Sequence, residues 1–130
     1  MSNVSTPKPY EEWRITQGDR AEDAAYVFGY YFMRHCRAEA LKIAASKPLP
    51  TTQEAYDTTV SEAVDTALHN VMDLLEGFWR TEAGPNHTAE FALAVRVCDR
   101  ERKILERIDI SPCLLDLPIG FWKWRGGEFR

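Results

Sequence analysis

The sequence predicts an α+β domain: two long helices packed on one face of a small antiparallel sheet. Three observations predict it. Apolar residues recur with a period near 3.6 through two stretches that open on capping patterns, between residues 19 and 76. After a Gly84-Pro85 break the period becomes two. Charge changes sign at nearly the same place: residues 1–93 hold 8 Lys/Arg and 14 Asp/Glu, and residues 94–130 hold 8 and 6.

Residues 1–9 are polar, carry Pro7 and Pro9, and read as a flexible N-terminal tail; residues 10–130 read as one domain. Tyr10–Ile15 is expected to form a helical turn that sets Trp13 against the body. Gly18 breaks the chain, and Asp19-Arg-Ala-Glu22 has the D-x-x-E pattern of a helix start. The helix is expected to run to about Ser46, because Pro48 and Pro50 cannot continue it. Thr51-Thr-Gln-Glu54 repeats the signature and opens a second helix from about residue 52 through Glu76, with a continuation past Gly77 to Glu82 allowed by the pattern.

The strands come next. Phe91, Leu93, Val95 and Val97 alternate with Ala92, Ala94, Arg96 and Cys98. Asp99–Arg102 is a polar turn, and Ile104, Ile108 and Ile110 alternate again, with Glu106 the misfit on that face. The prediction is a hairpin, 90–98 paired with 103–110. Beyond Ser111-Pro112, Leu114–Leu117 and Phe121–Trp124 are expected to add one or two short C-terminal strands, bent at Pro118 and Gly120.

Composition limits function. With 130 residues, 45% hydrophobic and 28% charged, the chain can bury a core and is not of the disordered class. A formal net charge of -4 argues against a nucleic-acid binder and against attraction to anionic membranes. The longest apolar run, Ala24–Met33, is about half a bilayer span, so no membrane association is expected. Three cysteines are too few and too uneven for a disulfide scaffold, which with the polar N-terminus reads as a cytoplasmic protein.

The first helix carries apolar residues on too many sides. At about 100° per residue, Tyr26, Gly29, Tyr30, Met33, Cys36, Ala40, Ile43 and Ala44 form one stripe that can face the sheet. Val27, Phe28, Tyr31 and Phe32 fall outside it. Either the rest of the chain covers them, or they form an interface, most simply that of a twofold homodimer.

On the second helix, Val60, Val64, Leu68, Val71, Met72, Leu75, Phe78 and Trp79 mark the expected core side. The opposite arc carries Glu62, Asp65, His69, Asp73, Glu76 and Arg80. Asp65, His69 and Asp73 follow at i, i+4 steps, and with Glu76 they make a possible ligand or metal face of imidazole and carboxylate groups. The plainer reading is a solvated acidic face, since one helix rarely supplies four ligands and no H-x-x-x-H or C-x-x-C completes the set.

Other chemistry is thin. Cys113 follows Ser111-Pro112 where a nucleophile could sit with His87 or His35 as base, but a structural cysteine is the simpler reading. Gly126-Gly127 lacks the helix that would follow a phosphate loop. Phe121-Trp-Lys-Trp-Arg125 interleaves rings with cations, yet two cations on an acidic chain make a weak nucleic-acid site. No catalytic residue, cofactor or metal is assigned.

The expected function is therefore a small protein-binding or regulatory module without catalytic activity, acting as a homodimer and on another protein. The alternative is a small-molecule or metal-binding domain, or an enzyme, with a pocket between helices and sheet. Convergence of His69, Asp73, Glu76, Cys113 and His35 on one concavity would favour that alternative.

Overall fold

In the computed structural model the described residues are Trp13, 20–112 and 116–130. The expected tail at 1–9, the turn at Tyr10–Ile15 apart from Trp13, and Cys113 lie outside them. Helices α1 (Ala21–Tyr31) and α2 (Ala38–Ala45) are joined by a π-helical segment, Phe32–Arg37. Helix α3 (Gln53–Leu75), strands β1 (Ala94–Cys98) and β2 (Ile104–Asp109), and helix α4 (Leu117–Arg125) follow. The fold is α+β, helices with a two-stranded antiparallel sheet.

The π segment decides which side of the first rod is core. Residues 27 and 36 are nine apart, so an uninterrupted α-helix at about 100° per residue would put them on opposite faces. A π turn closes i to i+5 and absorbs one extra residue. Val27, Tyr31, Cys36 and Ala40, spaced four, five and four, consequently form a single buried line. The sequence stripe, built on an unbroken 3.6 period, fails here: Cys36 and Ala40 are buried, but Tyr26, Met33 and Ile43 are exposed.

Helix α3 starts one residue later than the Thr51 pattern predicts. Thr52 is the N-cap, its side chain accepting from Ala55 N at 3.1 Å. The helix stops at Gly77 and does not continue to Glu82. Gly77 takes φ +74°, Phe78 N donates to Asp73 O at 3.0 Å, and Gly77 N donates to Leu74 O at 3.3 Å. These two bonds satisfy the last carbonyls and turn the chain out of the helix.

The hairpin forms as expected but is shorter, 94–98 with 104–109, with Val95 opposite Ile108 and Val97 opposite Glu106. Phe91 leaves the ladder to pack edge-on against Phe28 at 5.2 Å. Leu93 anchors the hairpin root: its N–H donates to Ser111 Oγ at 2.8 Å and its carbonyl accepts from Ile110 at 2.8 Å. At the tip, Asp99 Oδ1 accepts from Glu101 N and Lys103 N at 2.9 and 3.0 Å.

The expected C-terminal strands are instead helix α4. Asp116 caps it, accepting from Ile119 N at 3.4 Å, and Pro118 sits in the first turn, where a missing N–H loses no helical bond. A Cβ at Gly120 would lie 2.6 Å from the Trp124 ring, so glycine there is a packing requirement, not a bend. Gly126-Gly127 closes the helix by the same motif as Gly77, with Glu128 N on Lys123 O and Gly127 N on Trp124 O, both 2.9 Å.

The core lies between α1, the π segment, the last turns of α3 and the segment before β1. Val27, Tyr31, Cys36 and Leu74 are its buried centre, with Phe28, Phe32, Trp79 and Phe91 packed around it. Trp13 joins it: its N–H donates to Ala83 O at 2.9 Å, and the Arg20 guanidinium stands 4.2 Å over its ring. On the other side of α3, Leu117 and Phe121 are buried.

Candidate functional site

Four groups of residues bear on function: the two sets the sequence singles out, a cavity, and the apolar surface left uncovered.

The side chains expected to need an outside neighbour are supplied with one inside the chain. Val27 is 2% exposed and Tyr31 7% exposed, and Phe28 and Phe32 are half-buried against the same cluster. Tyr31 also donates to Glu82 O at 2.5 Å, and burial raises its pKa above the usual phenol value. The π segment explains this cover, since it swings the face round to the core.

The acidic face of α3 is the seat of α4. Asp65 Oδ2 receives Arg125 Nε at 2.5 Å. His69 Nδ1 stands 3.5 Å from Asp73 Oδ2, and its ring meets those of Phe121 and Trp122 at 5.8 and 5.3 Å. Glu76 Oε1 accepts from Leu117 N at 3.4 Å, one of the N–H groups that the first turn of α4 leaves without a helical partner. Burial raises the Asp73 pKa, the His69 charge pulls it back, and Asp116 pushes it up again. Carboxylates here meet the positive end of a helix and its arginine, and this is the docking chemistry the arrangement supports. Among the described residues no three His, Cys, Asp or Glu side chains are placed to hold a metal ion.

The remaining candidates are apart. His35 stacks between Tyr31 at 5.6 Å and Trp79 at 4.7 Å, and burial, followed by the Arg34 charge, lowers its pKa. Its carbonyl, in the π segment, accepts from Asn70 Nδ2 at 3.0 Å. Cys36 is 2% exposed, and burial and the Asp73 charge push its thiol up to about 11, which suits packing and not attack. Cys98 is exposed.

A cavity of about 340 Å³ opens between α1 and the segment before β1, lined by Trp13, Val27, Ala83, His87, Ala89 and Phe91. His69, Asp73, Glu76 and His35 are not in its wall.

Among the exposed apolar residues, two stretches are continuous enough to bear on docking. Tyr56, Val60, Val64 and Leu68 form an i, i+4 ladder along α3 and are 44–55% exposed. The sequence places the last three in the core. They are not there because α3 packs through its adjacent, half-buried Ala63, Thr66, Ala67 and Asn70 and, beyond them, Leu74. Small residues at four- and three-residue spacing let a helix approach closely, and they were the available signal. The second stretch is one face of the hairpin, where Val95, Val97, Ile104 and Ile108 are 41–47% exposed.

Compared with protein-family models, with curated proteins and with solved structures, the chain matches none. Among the described residues no helix is long and apolar enough to cross a membrane.

Proposed function

We propose that this chain is a non-catalytic protein-binding module and that α3 is its docking surface. The observation that carries the reading is the exposed ladder Tyr56, Val60, Val64 and Leu68. It lies on a helix with no Lys or Arg from Gln53 to Leu75, and Glu54 and Asp57 stand beside it in the first turns. An apolar stripe with an acidic border suits a partner with an apolar face and a basic rim: burial supplies affinity, and charge steers the encounter and fixes register. His69, Asp73, Glu76 and His35 support the same reading, being engaged under α4 or in the core.

The test is a photo-reactive residue at Val60, in native-cell extract, with the same residue at exposed Ser61 as control. A discrete protein adduct from Val60 that disappears when Val64→Asp is added is the expected result. No protein adduct, or the same adducts from Ser61, overturns the reading.

The cavity under α1 favours a second reading, a small-molecule site. Its volume falls within the roughly 300–1,000 Å³ usual for such sites, and its wall is mostly aromatic and apolar, with His87, Thr88 and Glu90 as its polar residues. Because Trp13 lines it, a ligand that enters will change indole emission, and Val27→Trp will fill the space and remove that response. Ligand-induced stabilisation that survives Val27→Trp removes the cavity as its site.

A further inference from the structure

We propose that the partner of the α3 ladder is the β1–β2 hairpin of a second copy of this chain, the two copies related by a twofold axis so that each hairpin lies on the other's α3. The inference rests on α3 being the docking surface and names its occupant.

Shape is the first argument. The ladder from Tyr56 to Leu68 spans twelve residues, ~18 Å at 1.5 Å per residue. The apolar face of the hairpin carries Val95 and Val97 on β1 and Ile104 and Ile108 on β2, and β2 extends ~17 Å at about 3.3 Å per residue. The apolar stripe itself, Ile104 to Ile108, spans ~13 Å at about 3.3 Å per residue, so it covers about three-quarters of the ladder.

Charge is the second. Glu54 and Asp57 accompany the ladder on α3, while Glu62, on the opposite arc, is paired with Lys47 at 2.8 Å. The hairpin brings five cations, Arg96, Arg100, Arg102, Lys103 and Arg107, against the four carboxylates Asp99, Glu101, Glu106 and Asp109. Asp99 is committed to the turn and Asp109 is held by Arg107 at 3.2 Å. Arg96, Arg100, Arg102 and Lys103 make no ion pair among the described residues. Arg96 and Arg107 lie on the other face of the ladder and Glu106 on the apolar one, so the unneutralised cations beside the apolar surface are Arg100, Arg102 and Lys103 at the hairpin tip, the complement of Glu54 and Asp57 on α3.

Closure is the third. In a twofold contact, if residue i of one copy meets residue j of the other, j of the first also meets i of the second. One operation therefore covers the α3 ladder and the hairpin face at once. A contact of α3 with α3 would leave the hairpin bare and set carboxylates against carboxylates.

The experiment uses the purified full chain, with mass measured by light scattering and sedimentation from low to high micromolar concentration. The expected species is a dimer. Val64→Asp and Ile108→Lys, both at exposed positions, each weaken it by about 100-fold or more with unchanged helix content. Mixing the two variants restores association, because the mixed dimer has one unaltered α3–hairpin contact and one in which Asp faces Lys. A monomer throughout, a dimer indifferent to either substitution, failure of the mixture to recover, or open-ended chains in place of a closed pair each overturn the proposal. The docking role of α3 is decided separately: a Val60 adduct to a different protein, from a chain that stays monomeric, keeps that role and removes the second copy as occupant.

Discussion

Arg125 Nε lies 2.5 Å from Asp65 Oδ2, sixty residues earlier in the chain. The pair fastens the last turn of α4 to the middle of α3, while Leu117 and Glu76 hold the first turn. Arg125 is half exposed, so water and salt screen the attraction, and side-chain ordering offsets part of it. Asp65→Ala and Arg125→Ala are each expected to lower stability by about 0.5–1 kcal/mol. Asp65→Arg combined with Arg125→Asp should recover much of the loss, read as urea midpoints in a double-mutant cycle. Additive losses with no recovery would mean that the two side chains act independently.

Leu117 gives a harsher test of the same docking. It is 2% exposed and caps the buried side of a nine-residue helix. Leu117→Ala removes three buried carbons and leaves a gap that so short a helix can close only partly. A loss of about 2–4 kcal/mol in global unfolding is expected. A change under about 1 kcal/mol would show that α4 is not coupled to the main cooperative unit.

The sequence was most readable where one local rule decides one feature. The polar turn at Asp99–Arg102 bounds its strands as expected and α3 begins within a residue of the expected start, whereas the stop at Gly77 rests on a left-handed turn that the 3.6 period runs past. Tertiary choices were less readable. The i+5 step between Tyr31 and Cys36 has no signature in a hydrophobic pattern, so the sequence leaves open whether the chain itself or a partner covers Val27, Phe28, Tyr31 and Phe32. The α3 ladder failed for a related reason: apolarity alone does not say whether a helix packs through Val64 or through Ala63 and Ala67. At Leu117–Arg125, Pro118 and Gly120 read as bends in a strand, but they serve a helix start and the Trp124 ring. The carboxylate–histidine face is visible as a cluster, and its role is hidden in the sequence because the pattern of residues 117–125 reads as strand and not as the helix that sits on it.

His35 predicts a pH dependence. Its ring is stacked between Tyr31 and Trp79, and burial with the Arg34 charge holds its pKa below the ordinary 6.5. In the window from 6.5 down to the folded value, the unfolded chain binds a proton that the folded chain does not. This site's contribution therefore makes stability fall as pH drops through that window, and it is lost in full below the folded pKa. His35→Phe keeps a flat ring in the stack and removes the proton. Urea midpoints from pH about 7.5 to about 5 should then decline less steeply in the variant than in the wild type. Equal slopes would place the pH sensitivity elsewhere.

Two thiols should differ sharply. Cys36 is buried, with its pKa pushed up to about 11, whereas Cys98 is exposed on β1. Since the thiolate is the reactive form, iodoacetamide at pH about 8 should label Cys98 and leave Cys36 intact until the chain is unfolded. Peptide mass spectrometry with and without denaturant separates the two sites. Labelling of Cys36 at the Cys98 rate under native conditions would mean that the core around Leu74 opens readily.

Gly77 and Arg102 make a paired test of backbone conformation, because both have positive φ, +74° and +67°. At Gly77 the left-handed conformation ends α3, and a Cβ would meet no other atom there, so Gly77→Ala isolates the backbone term. A loss of about 1 kcal/mol is expected in global stability. At Arg102 the sign reverses: a non-glycine residue already carries the strain of closing the hairpin turn, and Arg102→Gly should relieve up to about 1 kcal/mol. That gain belongs to the hairpin, whose ladder residues are mostly exposed, so it should appear as slower amide exchange at Val97 and Lys103 and not as a higher global midpoint. Removing a cation from the hairpin should also weaken self-association while its backbone becomes more ordered. Slower exchange together with weaker dimerisation would separate the order of the hairpin from the charge it brings to α3.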